Sequence, residues 1–211
     1  AEAFDVDAKL VAQRLMGYTD GKVLPSAERF EALHSGSGDG AAGQPYPFFL
    51  AHALQMPLDD MPAKLGPVAH WQVEWTYDGS RAQRVRRDGA CWIWSRGEEL
   101  MTDRFPEVVA LSSALSDGCV LDGEILVWID GAPAPFQRLQ QRIGRKTLTK
   151  KLLAEAPVTF LAYDLLEWQG QDLRAQPLRQ RRALLEALCA GTGLPLSPRV
   201  VADSWPALAA L

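Results

Sequence analysis

Three dipeptides punctuate the middle of this chain: Asp88-Gly89, Asp130-Gly131 and Gln169-Gly170. Each closes a segment of apolar or alternating character. Asp-Gly tolerates the positive φ that a two-residue connection between antiparallel strands requires. The first turn predicts a hairpin of residues 81–87 with 91–95, in which Trp92 and Trp94 share one face by the period-2 rule. Residues 119–128, CVLDGEILVW, are apolar enough for a buried strand ending at Asp130-Gly131. Val158 to Trp168 predicts another, ended by Gln169-Gly170. Further strands are expected at 71–75 and around 194–201.

Between these strands the apolar spacing changes to that of helices. One is expected from Thr102 or Asp103 through Leu115, with Pro106 in its first turn, where a missing N–H costs nothing. Others are expected at 136–143, at 149–154, from Pro177 through Leu188, and from Asp203 onward. In the Pro177 helix, Leu184, Leu185 and Leu188 should face inward and the arginines outward. Hairpins interleaved with helices indicate the α+β class, with mainly antiparallel sheets and flanking helices.

The N-terminal stretch has a different character. Residues 5–16 suggest a helix capped by Asp5, with Val6, Leu10, Leu15 and Met16 near one face and Gly17 closing it. A second helix starts at Ser26, with Phe30 and Leu33 inward. Two short helices cannot bury their apolar faces alone, so residues 1–34 are expected to be the tail of a larger helical domain. Residues 35–50 form a linker, beginning with SGSGDGAAG and ending in an apolar, proline-bound stretch. Residues 51–211 make up the main domain.

Composition removes several function classes. A net charge of −4 gives no bulk attraction to nucleic acid, so any such contact must come from local basic clusters. Residues 138–151 carry six Lys or Arg and no acid. Arg145, Lys146, Lys150 and Lys151 could contact phosphates there, or form a solvated helix face. Cys91, Cys119 and Cys189 are odd in number and widely spaced, against a disulfide framework or a structural zinc site. His34, His52 and His70 are scattered. No apolar run or N-terminal layout marks a membrane span or signal peptide. A soluble, cytoplasmic, monomeric protein is the expectation.

Four short motifs occur in order at strand ends: EWTYDGSR (74–81), SRGEE (95–99), LDGEI (121–125) and FLAYDLL (160–166). Together they resemble the covalent nucleotidyltransferases, above all bacterial ATP-dependent DNA ligases. The resemblance covers nearly the whole chain and is most specific over residues 71–174. It implies an adenylation-domain fold preceded by the end of a DNA-binding domain. It also implies ATP and a divalent metal such as Mg²⁺ as cofactors, and nicked duplex DNA as partner. In that family a lysine amine attacks the α-phosphate of ATP and holds AMP as a phosphoramidate. AMP then passes to a DNA 5′-phosphate and is displaced by the 3′-hydroxyl at the nick, so covalent catalysis divides one difficult step into easier ones.

The resemblance also implies residue roles. Thr76 stands at the position of the adenylated lysine, and a hydroxyl cannot supply the amine. The substitution is either engineered or natural. Glu74 would read the adenine amino group. Arg81 and Arg96 would contact the ribose and phosphate side, for which guanidinium forks are suited. Glu124 would accept from ribose hydroxyls and could bind metal, since an unpartnered carboxylate in an apolar strand is costly. Tyr163 would stack on adenine, where the family often has Phe. Asp78 and Gly79 would shape the turn.

For each of these residues a purely structural explanation stays open: a strand-edge carboxylate, a solvated arginine, a salt bridge or a core aromatic. The family's later lysine-bearing motifs and its OB domain are not found before Leu211, so a piece of a longer ligase is expected. Two other readings remain. One is an RNA ligase or capping-type relative. The other is a non-catalytic nucleotide- or DNA-binding module of ligase descent, which Thr76 favours.

Overall fold

All three turn dipeptides adopt left-handed backbone at both residues, with φ of 48° and 74°, 52° and 80°, and 51° and 76°. That conformation matches the right-handed twist of the flanking strands. The turns join β1 (Ser80–Arg87) to β2 (Ala90–Ser95), β3 (Cys119–Ile129) to β4 (Ala132–Pro133), and β5 (Val158–Trp168) to β6 (Gln171–Asp172). The structure, a computed structural model, describes residues 3, 5–6, 8–15, 24, 26–34, 43–145 and 147–211. The strands form a curled antiparallel sheet in the order β2-β1-β3-β5-β6, with β4 paired to β3.

The helices are α1 (Ala8–Leu15), α2 (Ala27–His34), α3 (Met61–Leu65), α4 (Pro106–Ala110), α5 (Phe136–Ile143), α6 (Lys150–Glu155), α7 (Leu178–Thr192) and α8 (Trp205–Ala209). The chain divides into two compact units: Ala1–Phe48 with Asp78–Leu196, and Phe49–Tyr77 with Ser197–Leu211. The first unit holds the sheet. One sheet face presents Ala82, Ile93, Leu121, Ile125, Phe160 and Leu165 to a core closed by Phe105, Val108, Leu139 and Leu185. The opposite face carries a smaller cluster of Tyr46, Val85, Trp94, Val120 and Leu166, with Trp92 packed against it. The two tryptophans therefore do share a face.

Residues 45–48 lie along this second face. The Tyr46 backbone N–H donates to Gln83 Oε1 at 2.8 Å, and its hydroxyl donates to Glu167 at 2.6 Å. Arg87 grips the same carboxylate through Nε at 3.0 Å and Nη2 at 2.6 Å. In α1, Arg14 is buried and donates to the Leu33 carbonyl of α2 at 3.1 Å.

In the second unit, Trp205 of α8 donates to the Gly66 carbonyl at 2.8 Å and meets Trp71 edge-on, with ring centroids 6.2 Å apart. The Val200 N–H donates to the Val73 carbonyl at 2.8 Å.

Several expectations are corrected. Residues 71–75 are not a strand; they make a single antiparallel bridge, Glu74 to Arg199. The stretch 194–201 likewise forms only isolated bridges, Leu196 to Ala162 and Arg199 to Glu74. The helix expected over 102–115 is three pieces: a 3₁₀ turn at Thr102–Arg104, then α4, then a second 3₁₀ turn at Leu111–Ala114. The first break is caused by Pro106, whose ring pushes the preceding residue out of the helical region; Phe105 has φ −132° and ψ 58°.

On α7, Leu185 and Leu188 are buried, but Leu184 is exposed and Arg182 is buried beside Glu186. Leu15 and Phe30 are exposed. Met16, Gly17, Lys146 and all of the glycine-rich stretch except Gly43 lie outside the described residues.

Candidate functional site

The sheet's second face becomes polar beyond the Trp94 cluster. Arg81, near the start of β1, pairs with Glu124 of β3 in the strand register. Asp122 lies two residues earlier on the same face of β3, as strand periodicity requires. The Arg81 guanidinium forks onto it, with Nε 3.2 Å from Oδ1 and Nη2 2.8 Å from Oδ2. The Tyr163 hydroxyl donates to the same Oδ1 at 3.0 Å. Two rings flank the cation: the guanidinium carbon is 5.4 Å from the Phe48 centroid and 5.9 Å from that of Tyr163. Burial pushes the Asp122 carboxyl above its ordinary value, and the Arg81 fork opposes that shift. Burial, with the neighbouring Asp122 charge, drives the Tyr163 hydroxyl upward as well.

Tyr163 reaches this group through an irregularity in the sheet. Asp122 pairs with Asp164, but Gly123 pairs with Ala162, so Tyr163 is the extra residue of a β-bulge. A bulge inserts one residue and re-aims the side chain there. Asp164 is anchored from α7, where Arg181 donates to both its oxygens at 2.9 Å.

Glu124 is half-buried, and its carboxylate makes no hydrogen bond or ion pair among the described residues. Its carboxyl is pushed up to about 7, first by burial and then by the nearby Asp122 and Asp78 charges, against the pull of Arg81 and Arg96. A carboxylate in that state has lost water without gaining a donor. It is open to a hydroxyl or a cation.

Two motif glycines are required by close approach. A Cβ on Gly79 would lie 2.5 Å from Leu126 Cδ2 and 2.6 Å from the Ile125 carbonyl oxygen. A Cβ on Gly123 would lie 2.6 Å from Phe160 Cζ and 2.7 Å from the Leu161 oxygen. Gly79 thus lets the chain entering β1 lie against β3, and its φ is not in the left-handed region.

Arg96 continues the hairpin, its N–H donating to the Arg81 carbonyl at 3.2 Å, and its side chain is exposed. Glu74 and Thr76 belong to the second unit. Glu74 is half-buried, bridges to Arg199 through the backbone, and accepts a hydrogen bond from Gln72. Thr76 is exposed in an irregular segment.

The basic run 138–151 separates into two kinds of residue. Arg142 is fully buried and binds Glu107 with both Nη atoms, along with the Arg104 and Ala156 carbonyls. Arg145, Lys150 and Lys151 are exposed, and Lys151 stands 3.7 Å from Glu155. Among the described residues, no group of three His, Cys, Asp or Glu could hold a metal ion, and no helix is long and apolar enough to cross a membrane.

Sequence reasoning named Arg81, Glu124 and Tyr163, which the structure brings to one face. It missed Asp122, the group that binds two of them together, and Phe48 on the far side of Arg81. Asp122 could have been found from its two-residue spacing to Glu124 within an apolar strand. Phe48 carried no such signal.

Comparison with known proteins bears on this geometry. The family model described as "ATP dependent DNA ligase domain" matches residues 49–202. A probable DNA ligase of Opitutus terrae is 38% identical over 167 residues, covering 79% of this chain and 15% of the relative. A DNA ligase of Archaeoglobus fulgidus is 36% identical over 135 residues, covering 63% of this chain and 24% of the relative. The chain therefore spans about a quarter or less of these curated relatives. The solved mycobacterial DNA ligase D complexed with ATP and MES superposes with a TM-score of 0.54 at 34% identity, over 66% of this chain and 44% of that one. With a family match over most of its length and a fold that agrees, this chain belongs to the ATP-dependent DNA ligase domain family.

Proposed function

We propose that this chain carries the nucleotide-binding part of an ATP-dependent DNA ligase and cannot adenylate itself. The observation that supports the nucleotide site is Glu124, a desolvated carboxylate with no partner among the described residues, next to an arginine fixed between two aromatic rings. The residues fit ATP. Glu124 accepts from the ribose hydroxyls, and Tyr163 offers its ring to the adenine. Arg81, held by Asp122, and the exposed Arg96 supply charge toward ribose and phosphate. Glu74 accepts from the adenine amino group. Bound ATP would supply the activated phosphoryl group on which the family's chemistry depends.

A metal does not fit a protein cage here, because Asp122 is taken up by Arg81 and Tyr163, which leaves the Glu124 and Asp78 carboxylates. Mg²⁺ instead suits a site made of nucleotide phosphates, waters and one carboxylate, its usual preference.

Thr76 takes the place of the reacting lysine. Its hydroxyl has no amine to hold AMP. Arg145, Lys150 and Lys151 form a surface suited to duplex phosphates. The α1–α2 pair is the remnant of a DNA-binding domain. A second reading, a binding module that never ligates, is favoured by Thr76 alone.

Titration calorimetry with ATP tests the site. Binding is expected for the wild-type chain, and Glu124→Gln and Arg81→Met should each weaken it about tenfold or more, since each removes a charge-assisted contact. Equal affinity in all three proteins would dispose of the assignment. Thr76→Lys in the full-length protein separates the two readings: a gain of nick sealing supports the ligase, and continued inactivity supports the binding module.

A further inference from the structure

Residues 43–48 have irregular backbone, yet they follow β1 closely. The Trp94 indole Nε1 donates to the Gly43 carbonyl at 2.6 Å, and Arg87 Nη1 donates to the Gln44 carbonyl at 2.8 Å. Gln83 Oε1 then accepts the Tyr46 N–H, and the Phe48 ring centroid lies 5.4 Å from the Arg81 guanidinium carbon. Gln44, Tyr46 and Phe48 therefore meet Arg87, Gln83 and Arg81 in descending order. Those three residues share one face of β1 by strand periodicity. The attachments run through side chains of the sheet, because Pro45 and Pro47 have no N–H to give to a strand ladder.

Two devices hold this path in place. Gly43 lies against the Trp92 indole, where a Cβ would stand 2.5 Å from Cε2. Tyr46 is buried, with its hydroxyl donating to Glu167 and the Arg174 guanidinium carbon 4.0 Å from its ring centroid. Glu167 and Arg174 are themselves fixed, by Arg87 and by Asp172. Gln44 also reaches back to α1, its Nε2 donating to the Arg14 carbonyl at 3.0 Å. Phe48 is at most about 7 Å of chain from the Tyr46 anchor, so it has little freedom to leave Arg81.

We infer that residues 43–48 are a strap that positions the nucleotide arginine, with Tyr46 as its anchor and Phe48 as the positioning residue. The inference rests on the reading of Arg81 as a nucleotide contact. The Asp122 fork holds the Arg81 guanidinium along one edge, through Nε and Nη2. A planar group gripped along one edge can still tilt about it. A ring over its face removes that tilt, because the negative face of the π-system attracts the cation. Phe48 thus acts through Arg81, setting the plane from which the guanidinium approaches ribose and phosphate.

Titration calorimetry with ATP alone tests this as a double-mutant cycle on the whole chain, with urea unfolding run on every variant. Phe48→Ala should weaken ATP binding about threefold or more. Phe48→Leu keeps the apolar contact without the π-face and should weaken it as much, whereas Phe48→Tyr should bind as the wild type does. In an Arg81→Met background, titrated at correspondingly higher ATP, Phe48→Ala should have no further effect. Tyr46→Phe should lower affinity in the wild-type chain and leave it unchanged once Phe48 is replaced by alanine. Wild-type affinity in Phe48→Leu overturns the inference. So does a full Phe48→Ala effect in the Arg81→Met background, since the ring would then act on the fold or on the nucleotide directly. Both outcomes leave the nucleotide site standing as long as Arg81→Met itself binds weakly. Failure of the wild-type chain to bind ATP overturns the site, and the strap's role with it.

Discussion

Asp122 does more for the site than any residue expected to touch ligand, because two of those residues depend on it. Its carboxylate takes the Arg81 fork and the Tyr163 hydroxyl together. Asp122→Ala would remove the fork that holds the half-buried Arg81 guanidinium, at a cost of about 2–3 kcal/mol by the usual worth of hydrogen bonds to charged groups. Urea unfolding should show that loss, and calorimetry should show ATP binding weakened in step, though Asp122 itself need not touch the nucleotide. Gly79→Ala is expected to cost about 1–3 kcal/mol through the collision with Leu126 and the Ile125 carbonyl, again read by urea unfolding.

Glu124 gives a pH signature. An unfolded glutamate titrates near 4.5, whereas the folded one is pushed up to about 7. Within that window the folded chain keeps a proton that the unfolded chain has lost. This group's contribution to stability is thus full below the lower value and is lost as pH rises through the upper one. ATP binding should move the opposite way. Affinity should rise through about pH 7 as the carboxylate becomes able to accept, and Glu124→Gln should flatten both profiles.

At the scale of elements, the turns and long strands were legible because their signals are local. A Gly after Asp or Gln permits positive φ, and apolar runs bounded by such turns have few alternatives. The limits of β3 and β5 depart by no more than a residue from those expected for the same reason. The bulge at Tyr163 was not legible, since an extra residue is defined only against a partner strand. Residues 71–75 misled because Val73 and Trp75 alternate like a strand while no neighbouring strand pairs with them beyond one bridge. The broken helix at Phe105 could have been expected from Pro106, had the residue before the proline been weighed as well as the proline itself.

The basic run was half legible: its charge was plain, but the inward turn of Arg142 was not. These residues should separate in experiment. Arg142→Ala leaves the Arg104 carbonyl and the buried Ala156 carbonyl without their donor, so a loss of about 1–3 kcal/mol is expected in urea unfolding. Lys150→Glu with Lys151→Glu should leave stability unchanged, because both side chains are exposed. That pair should weaken nicked-duplex binding in a salt-dependent way.

At the scale of the molecule, the motif that identifies the family divides between the two units: Glu74 and Thr76 fall in one, Arg81 in the other. The sheet unit holds a tightly braced cluster of acid, arginine and tyrosine with one carboxylate left open. The second unit carries Thr76, which the resemblance aligns with the family's reacting lysine. On the proposed function, nucleotide binding and the chemical step are therefore separable in this chain. The most direct measurement is the intact mass of the protein after incubation with ATP and Mg²⁺. The expected mass is that of the untreated chain, under conditions where calorimetry registers bound ATP. A mass increase of one AMP, mapped by digestion to any residue of the chain, would contradict the proposal.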